Sequence, residues 1–330
     1  MGRRTQKTQC RRWFYRVVQG VTNNAANGNR VDPTLTADLE FGMVFFEHGR
    51  GFIHLEGALG TGLNDDAPFV TNIFGLPNTD ANPGQRQADM ELAEAYFEFE
   101  YWNNSFFLTV GLLDPVVYFD NNAVANDETT QFLNSGLVNN SAIALPGYSL
   151  GMVIRYKATA YMNLQAGIFE GDSDWDNIQR DPFYIGEVDF HTNFGDKEGN
   201  YRFYVWRNHT NNPAGYGFGM SLDQQAAAWL TFFARFGYAS PSIYQNKMSF
   251  AGGVEFAGAL FKRHEDAIGL AINSDTVAAG DNESLLELYY RLQLGDHLAL
   301  SPDIQWYMNP GASAANSKAL VGSLRAQVDF

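Results

Sequence analysis

Leu320-Val-Gly-Ser-Leu-Arg-Ala-Gln-Val-Asp-Phe330 closes the chain and decides how the rest of it is read. Leu320, Gly322, Leu324, Ala326, Val328 and Phe330 form one set, and Val321, Ser323, Arg325, Gln327 and Asp329 form the other. A side-chain period of two belongs to an extended strand, whose successive residues point to opposite faces. The run is about twice the usual ~5–6 residues of a strand in a soluble sheet. One face is apolar and ends on an aromatic ring; the other carries Arg and Asp. That pairing suits a wall between lipid and water.

Working back from this stretch, the same alternation recurs along the chain. Leu286, Leu288, Tyr290, Leu292 and Leu294 oppose Glu287, Tyr289, Arg291 and Gln293, and Leu230, Phe232, Ala234, Phe236 and Tyr238 oppose Thr231, Phe233, Arg235 and Gly237. Earlier, Leu35, Ala37, Leu39, Phe41, Met43 and Phe45 oppose Thr36, Asp38, Glu40 and Gly42, and Ala93, Ala95, Phe97, Phe99 and Tyr101 oppose Glu94, Tyr96, Glu98 and Glu100. Segments of this kind start near residues 11, 35, 51, 89, 104, 148, 160, 183, 199, 214, 227, 247, 265, 284, 297 and 319. They predict an all-β transmembrane antiparallel barrel of about 16 strands, an even number that brings both ends of the chain to one side. If the last strand runs toward the periplasm, the connections near 48, 102, 159, 195, 223 and 295 are short periplasmic turns. Those beginning near 61, 114 and 171 are then external loops of about 28, 34 and 12 residues, the asymmetry that such barrels show.

A soluble sandwich or jelly roll also alternates, with its apolar face buried; the length of these strands favours the barrel. The composition agrees with it. The 330 residues are 45% hydrophobic and 15% aromatic, which excludes a disordered chain. There is no run of about 20 apolar residues for a spanning helix. A mean hydropathy of −0.26 is then the average of two interleaved faces. The single cysteine, Cys10, builds no disulfide framework, and a net charge of −15 excludes a nucleic-acid partner. Residues 1–10 lie outside the pattern and are left unassigned; 11–330 is read as one barrel domain. Met1–Arg12 is basic but lacks the apolar core and cleavage site of a signal peptide, so the true start of the exported chain is expected to lie outside this sequence.

Several motifs imitate chemistry. Gly147-Tyr-Ser-Leu-Gly151 matches a nucleophile elbow, but a strand pattern rather than a helix follows Ser149. His264-Glu265-Asp266 lacks a second histidine at 268. Gly215, Gly217 and Gly219 are read as small inward residues that widen a lumen, and not as a phosphate loop. Asp172, Asp174 and Asp176 open like a calcium loop, yet Asn177 and Phe183 stand where its glycine and final glutamate belong, so an acidic external loop is expected. No enzyme activity, cofactor or metal is read from these residues.

If the apolar faces meet lipid, the other faces line a pore. The candidate pore-lining and substrate residues are Glu94, Glu98, Arg155, Arg202, Tyr204, Trp206, Arg235, Glu287, Tyr289, Arg291, Asp303 and Arg325. Opposed charges set up a transverse field and can hydrogen-bond hydroxyl groups, while aromatic rings stack on the C–H faces of sugars. A phosphate-selective pore would need a basic ladder, which the inward acids contradict. The long connection Asp114–Gly147 is dense in amides, hydroxyls and carboxylates. Its Asp120, Asn121, Asn122, Asp127 and Glu128 are candidates for a constriction, if the loop folds inward rather than capping the mouth.

Ala214-Gly-Tyr-Gly-Phe-Gly-Met-Ser-Leu-Asp-Gln224, Leu230-Thr-Phe-Phe-Ala-Arg-Phe-Gly-Tyr238, Glu287-Leu-Tyr-Tyr-Arg-Leu-Gln293, Leu300-Ser-Pro-Asp-Ile-Gln-Trp306 and Asn309-Pro-Gly311 resemble the OprB-type carbohydrate-selective porins. Phe119-Asp-Asn-Asn122 and Asn126-Asp-Glu-Thr-Thr-Gln-Phe132 are similar to one branch of that family. The resemblance runs over roughly residues 15–330 and is strongest after 214. It implies a bacterial outer-membrane barrel passing small sugars by facilitated diffusion, with sugars, membrane lipid and lipopolysaccharide as partners and a homo-oligomer left open. The alternative is a general or cation-preferring diffusion porin without sugar selectivity.

Overall fold

The computed structural model describes residues 8–22, 30–60, 63, 89–211, 213–241, 246–278, 281–316 and 318–330. Among them are sixteen strands: β1 (Thr8–Thr22), β2 (Arg30–Phe46), β3 (Gly49–Leu59), β4 (Asp89–Tyr101), β5 (Phe106–Leu113), β6 (Ser149–Thr159), β7 (Met162–Glu170), β8 (Pro182–Phe194), β9 (Lys197–Asn208), β10 (Gly215–Ala227), β11 (Leu230–Ala239), β12 (Asn246–Ala257), β13 (Ala267–Val277), β14 (Asn282–Gln293), β15 (Leu298–Met308) and β16 (Ala319–Asp329). Every strand pairs antiparallel with its sequence neighbours, and β1 closes on β16 through the register Trp13–Asp329 to Thr22–Leu320. Closure leaves no unpaired edge, the condition for a sheet to stand in lipid. Each strand starts within five residues of the position expected from the alternation.

Three details differ from the sequence reading. β1 begins at Thr8, so the strand takes in the last residues of the segment left unassigned, and residues 1–7 lie outside the described residues. The turn expected near 223 lies at residues 228–229, because Asp223 and Gln224 continue the β10 ladder opposite Phe233 and Phe232. The loop expected from 61 falls outside the described residues except for Leu63.

Connections on one side of the barrel are short. Residues 47–48, 160–161, 195–196 and 228–229 are two-residue turns, with Gly195 at φ 69. The exception is 258–266, where Arg263 and Asp266 form an ion pair at 2.5 Å. The other side carries the long connections 60–88, 114–148 and 171–181. β16 ends on the short-turn side, which is therefore periplasmic, as the alternation predicted.

Burial is inside out relative to a soluble sandwich. Phe97, Val205, Phe250 and Ile304 point outward and are about half exposed, whereas Glu56, Glu287, Asp303 and Arg325 point inward and are buried. Trp102, Tyr161, Phe194 and Trp229 stand at the tips of the periplasmic turns, where rings with an apolar body and a wet end settle at a membrane interface. No helix is long and apolar enough to cross a membrane. The apolar rows are the lipid-facing surface, and the packed interior is made by what fills the lumen.

Candidate channel constriction

The connection 114–148 between β5 and β6 folds into the barrel and crosses it to the far wall. It leaves β5 with Asp114, whose backbone N–H donates to Glu94 Oε1 at 3.3 Å and whose carboxylate caps the turn Pro115–Val117 through Val116 N–H. It returns at Tyr148, whose hydroxyl donates to Glu56 Oε2 at 2.6 Å. Between these points lies one short helix, α1 (Ser135–Val138), capped by Asn134. Asp120 takes a left-handed conformation (φ 62), which Asp tolerates better than most side chains, and this turns its carboxylate toward the wall.

Buried polar groups on the barrel wall hold the loop backbone. Arg235 on β11, 1% exposed, donates to Ala125 O, to Leu137 O at 2.6 Å, to Asp120 O at 2.8 Å and to Asn126 Oδ1 at 3.1 Å. Its Nε also stands 3.1 Å from Asp120 Oδ2. Arg325 on β16 donates to Glu128 O and, at 3.0 Å, to Gln131 O. Carboxylates take the opposite role: Glu187 accepts Asp120 N–H at 3.1 Å, Asp223 accepts Ala123 N–H at 3.3 Å, and Glu287 accepts Leu133 and Asn134 N–H at 2.5 and 3.1 Å. Backbone removed from water needs such partners, because an unpaired buried amide or carbonyl costs ~1–3 kcal/mol. Burial raises the Asp120 carboxyl above its ordinary range against the pull of Arg235.

The loop's apolar side chains make the core of the molecule. Val124, Phe132, Leu137 and Val138 pack with Phe233, Tyr289 and Tyr307 of the wall, and Leu63 joins the same cluster. Phe119 and Ile143 pack with Phe169, Phe183, Tyr204 and Trp206. Here the inward glycines find their use, which corrects the expectation that they widen the lumen: a Cβ on Gly217 would overlap the Trp206 indole, and one on Gly219 would lie 2.5 Å from the Tyr204 hydroxyl. Missing side chains on β10 make room for rings, not for solute.

A cavity of about 400 Å³ remains on the periplasmic side of the loop, lined by Phe107, Tyr118, Arg155, Gln165, Asp189 and Arg202 among others. The Arg155 guanidinium is held by Glu98 and lies 5.1 Å from the Phe107 ring and 5.6 Å from the Tyr118 ring, within cation–π range. Glu98 also pairs with Arg50 at 2.8 Å. Across β7, Arg202 stands between Asp223 at 2.7 Å and Asp189 at 3.8 Å. Among the described residues, Arg155 Nε and Asp189 Oδ1 are buried atoms without a hydrogen bond, the latter facing Arg202 Nε at 3.8 Å. The cavity is thus lined by two guanidiniums, a carboxylate and two rings.

The sequence-derived candidates divide into three groups. Arg155, Arg202, Asn121 and Asn122 line the cavity, and Glu98 positions one of them. Arg235, Glu287, Tyr204, Arg325, Asp120 and Asp127 fasten or shape the loop: the Tyr204 hydroxyl donates to Asp120 at 3.1 Å, and Asp127 accepts from Thr129 and Thr130. Trp206 stacks on Phe183, Tyr289 donates to Glu255, Asp303 accepts from Gln305, and Glu94 accepts from Asp114; half-buried Glu128 offers its backbone to Arg325. Arg291 lies near the periplasmic end of β14, donating to Glu265 O at 3.2 Å, away from the loop's anchoring contacts. Sequence reasoning missed Arg50, Asn163, His191, Asn200 and Asp223. The last four form a chain in which His191 links Asn163 and Asn200 at 2.6 and 2.8 Å, and Asn200 donates to Asp223 at 2.6 Å. Their inward parity was the signal that could have found them. Ser149, the nucleophile mimic, donates to Glu170 O at 2.6 Å and is buried.

Residues 207–330 match the family model described as "Carbohydrate-selective porin, OprB family". The C-terminal part of the chain is similar to the OprB family. The fold of the chain is shared with Pseudomonas putida OprB in the high-pH structure, at a TM-score of 0.85 and 15% identity over 98% of this chain and 94% of that one. The outer-membrane channel DcaP of Acinetobacter baumannii superimposes at 0.62 with 11% identity, covering 100% and 99% of the two chains. Among curated sequences, an uncharacterized protein of Aquifex aeolicus is 30% identical over 195 residues, 59% of this chain and 57% of that protein. Porin AaxA of Chlamydia abortus is 24% identical over 219 residues, 61% and 49% of the two chains. The chain therefore spans about half the length of the curated relatives it matches. The barrel described here is an outer-membrane protein.

Proposed function

We propose that this barrel is a passive channel for small neutral polyhydroxylated solutes, sugars above all, with no turnover and no cofactor. One observation carries the reading: below the inward loop, the Arg155 and Arg202 guanidiniums and the Asp189 carboxylate line one cavity with the rings of Phe107 and Tyr118. A guanidinium donor and a carboxylate acceptor can each take a sugar hydroxyl, and a ring face covers the sugar's C–H surface. Sugar-dependent swelling of liposomes and sugar block of single-channel current test it. Saturable block that weakens in Arg155→Gln and Tyr118→Ala is expected; a pore that no sugar blocks overturns the reading. Its remaining partners on this view are the lipids and lipopolysaccharide around the outer face.

A second reading, a cation-preferring general porin, draws on the wall formed by β2–β4. There Asp38, Glu56 and Glu94 are buried around His54, whose Nε2 lies 3.0 Å from Asp38. Reversal potentials in a salt gradient separate the two: strong cation preference without sugar block favours the second.

A further inference from the structure

The outward rows of the barrel carry almost no charge. Among the described residues of β2–β16, no exposed carboxylate lies in outward phase, Glu170 being buried under the backbone of the 171–181 connection, and the cation Lys197, beside the Gly195-Asp196 turn, is paired with Asp196 at 2.7 Å. Arg207 is different. It lies near the external end of β9, in outward phase with the exposed Phe203 and Val205. The register sets it directly between Tyr184 of β8 and Tyr216 of β10, both outward and about half exposed. His209 packs edge-on against Tyr184 with ring centroids 5.8 Å apart. No hydrogen bond or ion pair joins the side chains of Arg207, Tyr184 or Tyr216 to another described residue.

An unpaired guanidinium on a lipid-facing surface costs ~2–4 kcal/mol at mid-bilayer and ~0–1 near the interface. On β10 the outward apolar series runs from Tyr216 through Phe218, Met220 and Leu222 to the polar Gln224, so the Tyr184–Arg207–Tyr216 row marks its external edge. There the outer leaflet places headgroups against the wall. A fork of guanidinium donors, flanked by two phenol hydroxyls and an imidazole, has the chemistry that takes phosphate. A second cation repeats the arrangement elsewhere on the rim, where Lys318 lies 5.1 Å from the outward Trp306 ring.

We infer that Tyr184, Arg207, Tyr216 and His209 form a docking site for the phosphate of a phosphorylated glycolipid headgroup in the outer leaflet. The inference rests on the outer-membrane position of the barrel and is independent of what passes through the lumen. The test uses the whole barrel in detergent, with bis-phosphorylated lipid A as the probe and native mass spectrometry and thermal shift as readouts. Binding is expected to weaken about tenfold in Arg207→Gln, the loss of one charge-assisted contact, and less in the double variant Tyr184→Phe/Tyr216→Phe. Dephosphorylated lipid A should not distinguish wild type from Arg207→Gln. Equal lipid A binding by wild type and Arg207→Gln overturns the site; so does equal protection by inorganic phosphate alone, which would make it a free-anion site. Heat-dependent gel mobility shows that each variant folds, and the tyrosine pair provides a second test should Arg207→Gln fail to assemble. Single-channel conductance and sugar block should stay unchanged in Arg207→Gln, so failure here and failure of the channel reading are separate results.

Discussion

A guanidinium that donates four hydrogen bonds to a loop has little left to offer a passing solute. Arg235 is such a group, and its burial beside Asp120 makes it expensive to remove. Arg235→Ala leaves a buried carboxylate without its counter-ion, a loss of about 3–5 kcal/mol by analogy with broken buried pairs. That loss falls on the loop, since the strands keep their ladder. Conductance is expected to rise and sugar block to fall, while the folded form on unheated gels persists; planar-bilayer recording reads the first two. Arg291→Ala is the contrasting case. Its side chain reaches only Glu265 O near the periplasmic end, so block by sugar should match wild type in the same recording. The inward Arg residues therefore divide between those that anchor the loop and those that line the cavity, and parity in the sequence shows only that they point inward.

At the scale of the element, the inward loop is the candidate constriction, and its charge depends on pH. Burial, followed by the neighbouring Asp127, pushes the Glu128 carboxyl up to about 8, so near neutrality it is mostly protonated. As pH rises through that value, the group releases its proton and adds one negative charge to the constriction. Cation preference should therefore increase between about pH 7 and pH 9, and Glu128→Gln should abolish that increase in reversal-potential measurements. The stability sign follows from the same shift. A carboxyl raised on folding holds its proton longer than in the unfolded chain, so its ionisation weakens the folded loop as pH climbs from the ordinary carboxylate range toward 8. That the loop would be rich in groups able to narrow a pore was legible in Asp120, Asn121, Asn122, Asp127 and Glu128. Its direction was not, because it depends on partners 67 to 197 residues away, such as Glu187 and Arg325.

For the whole molecule, closure is the stabilising event. β1 and β16 are joined only because fourteen strands between them bring the two ends together. Removing Leu320–Phe330 leaves β1 and β15 with open edges in hydrocarbon, where each unpaired backbone group costs several kcal/mol. The truncated chain is expected to give no heat-modifiable folded band and no channel activity; a closed, conducting barrel from it would refute this account of closure. The same topology explains the composition. Lipid takes the apolar rows, water and the loop take the polar rows, and the net charge of −15 bears on ion preference rather than on partner binding.

The sequence by itself determined the strands, their number and their facing, because lipid on one side and polar groups on the other impose a period of two that no tertiary detail can shift without turning every side chain over. The start of β10 and both ends of β16 were legible to within a residue, while the turn after β10 was expected about five residues too early. Only the tertiary structure decided which inward groups serve the loop and which serve the lumen. Gly217 makes room for Trp206, Arg325 holds Glu128 O and Gln131 O, and the Arg155 guanidinium sits against the Phe107 and Tyr118 rings, each through contacts distant in sequence. Alternation is a local constraint, written into each strand. Hydrogen-bond satisfaction inside a crossed lumen is a global one, settled only when the barrel has closed around its loop.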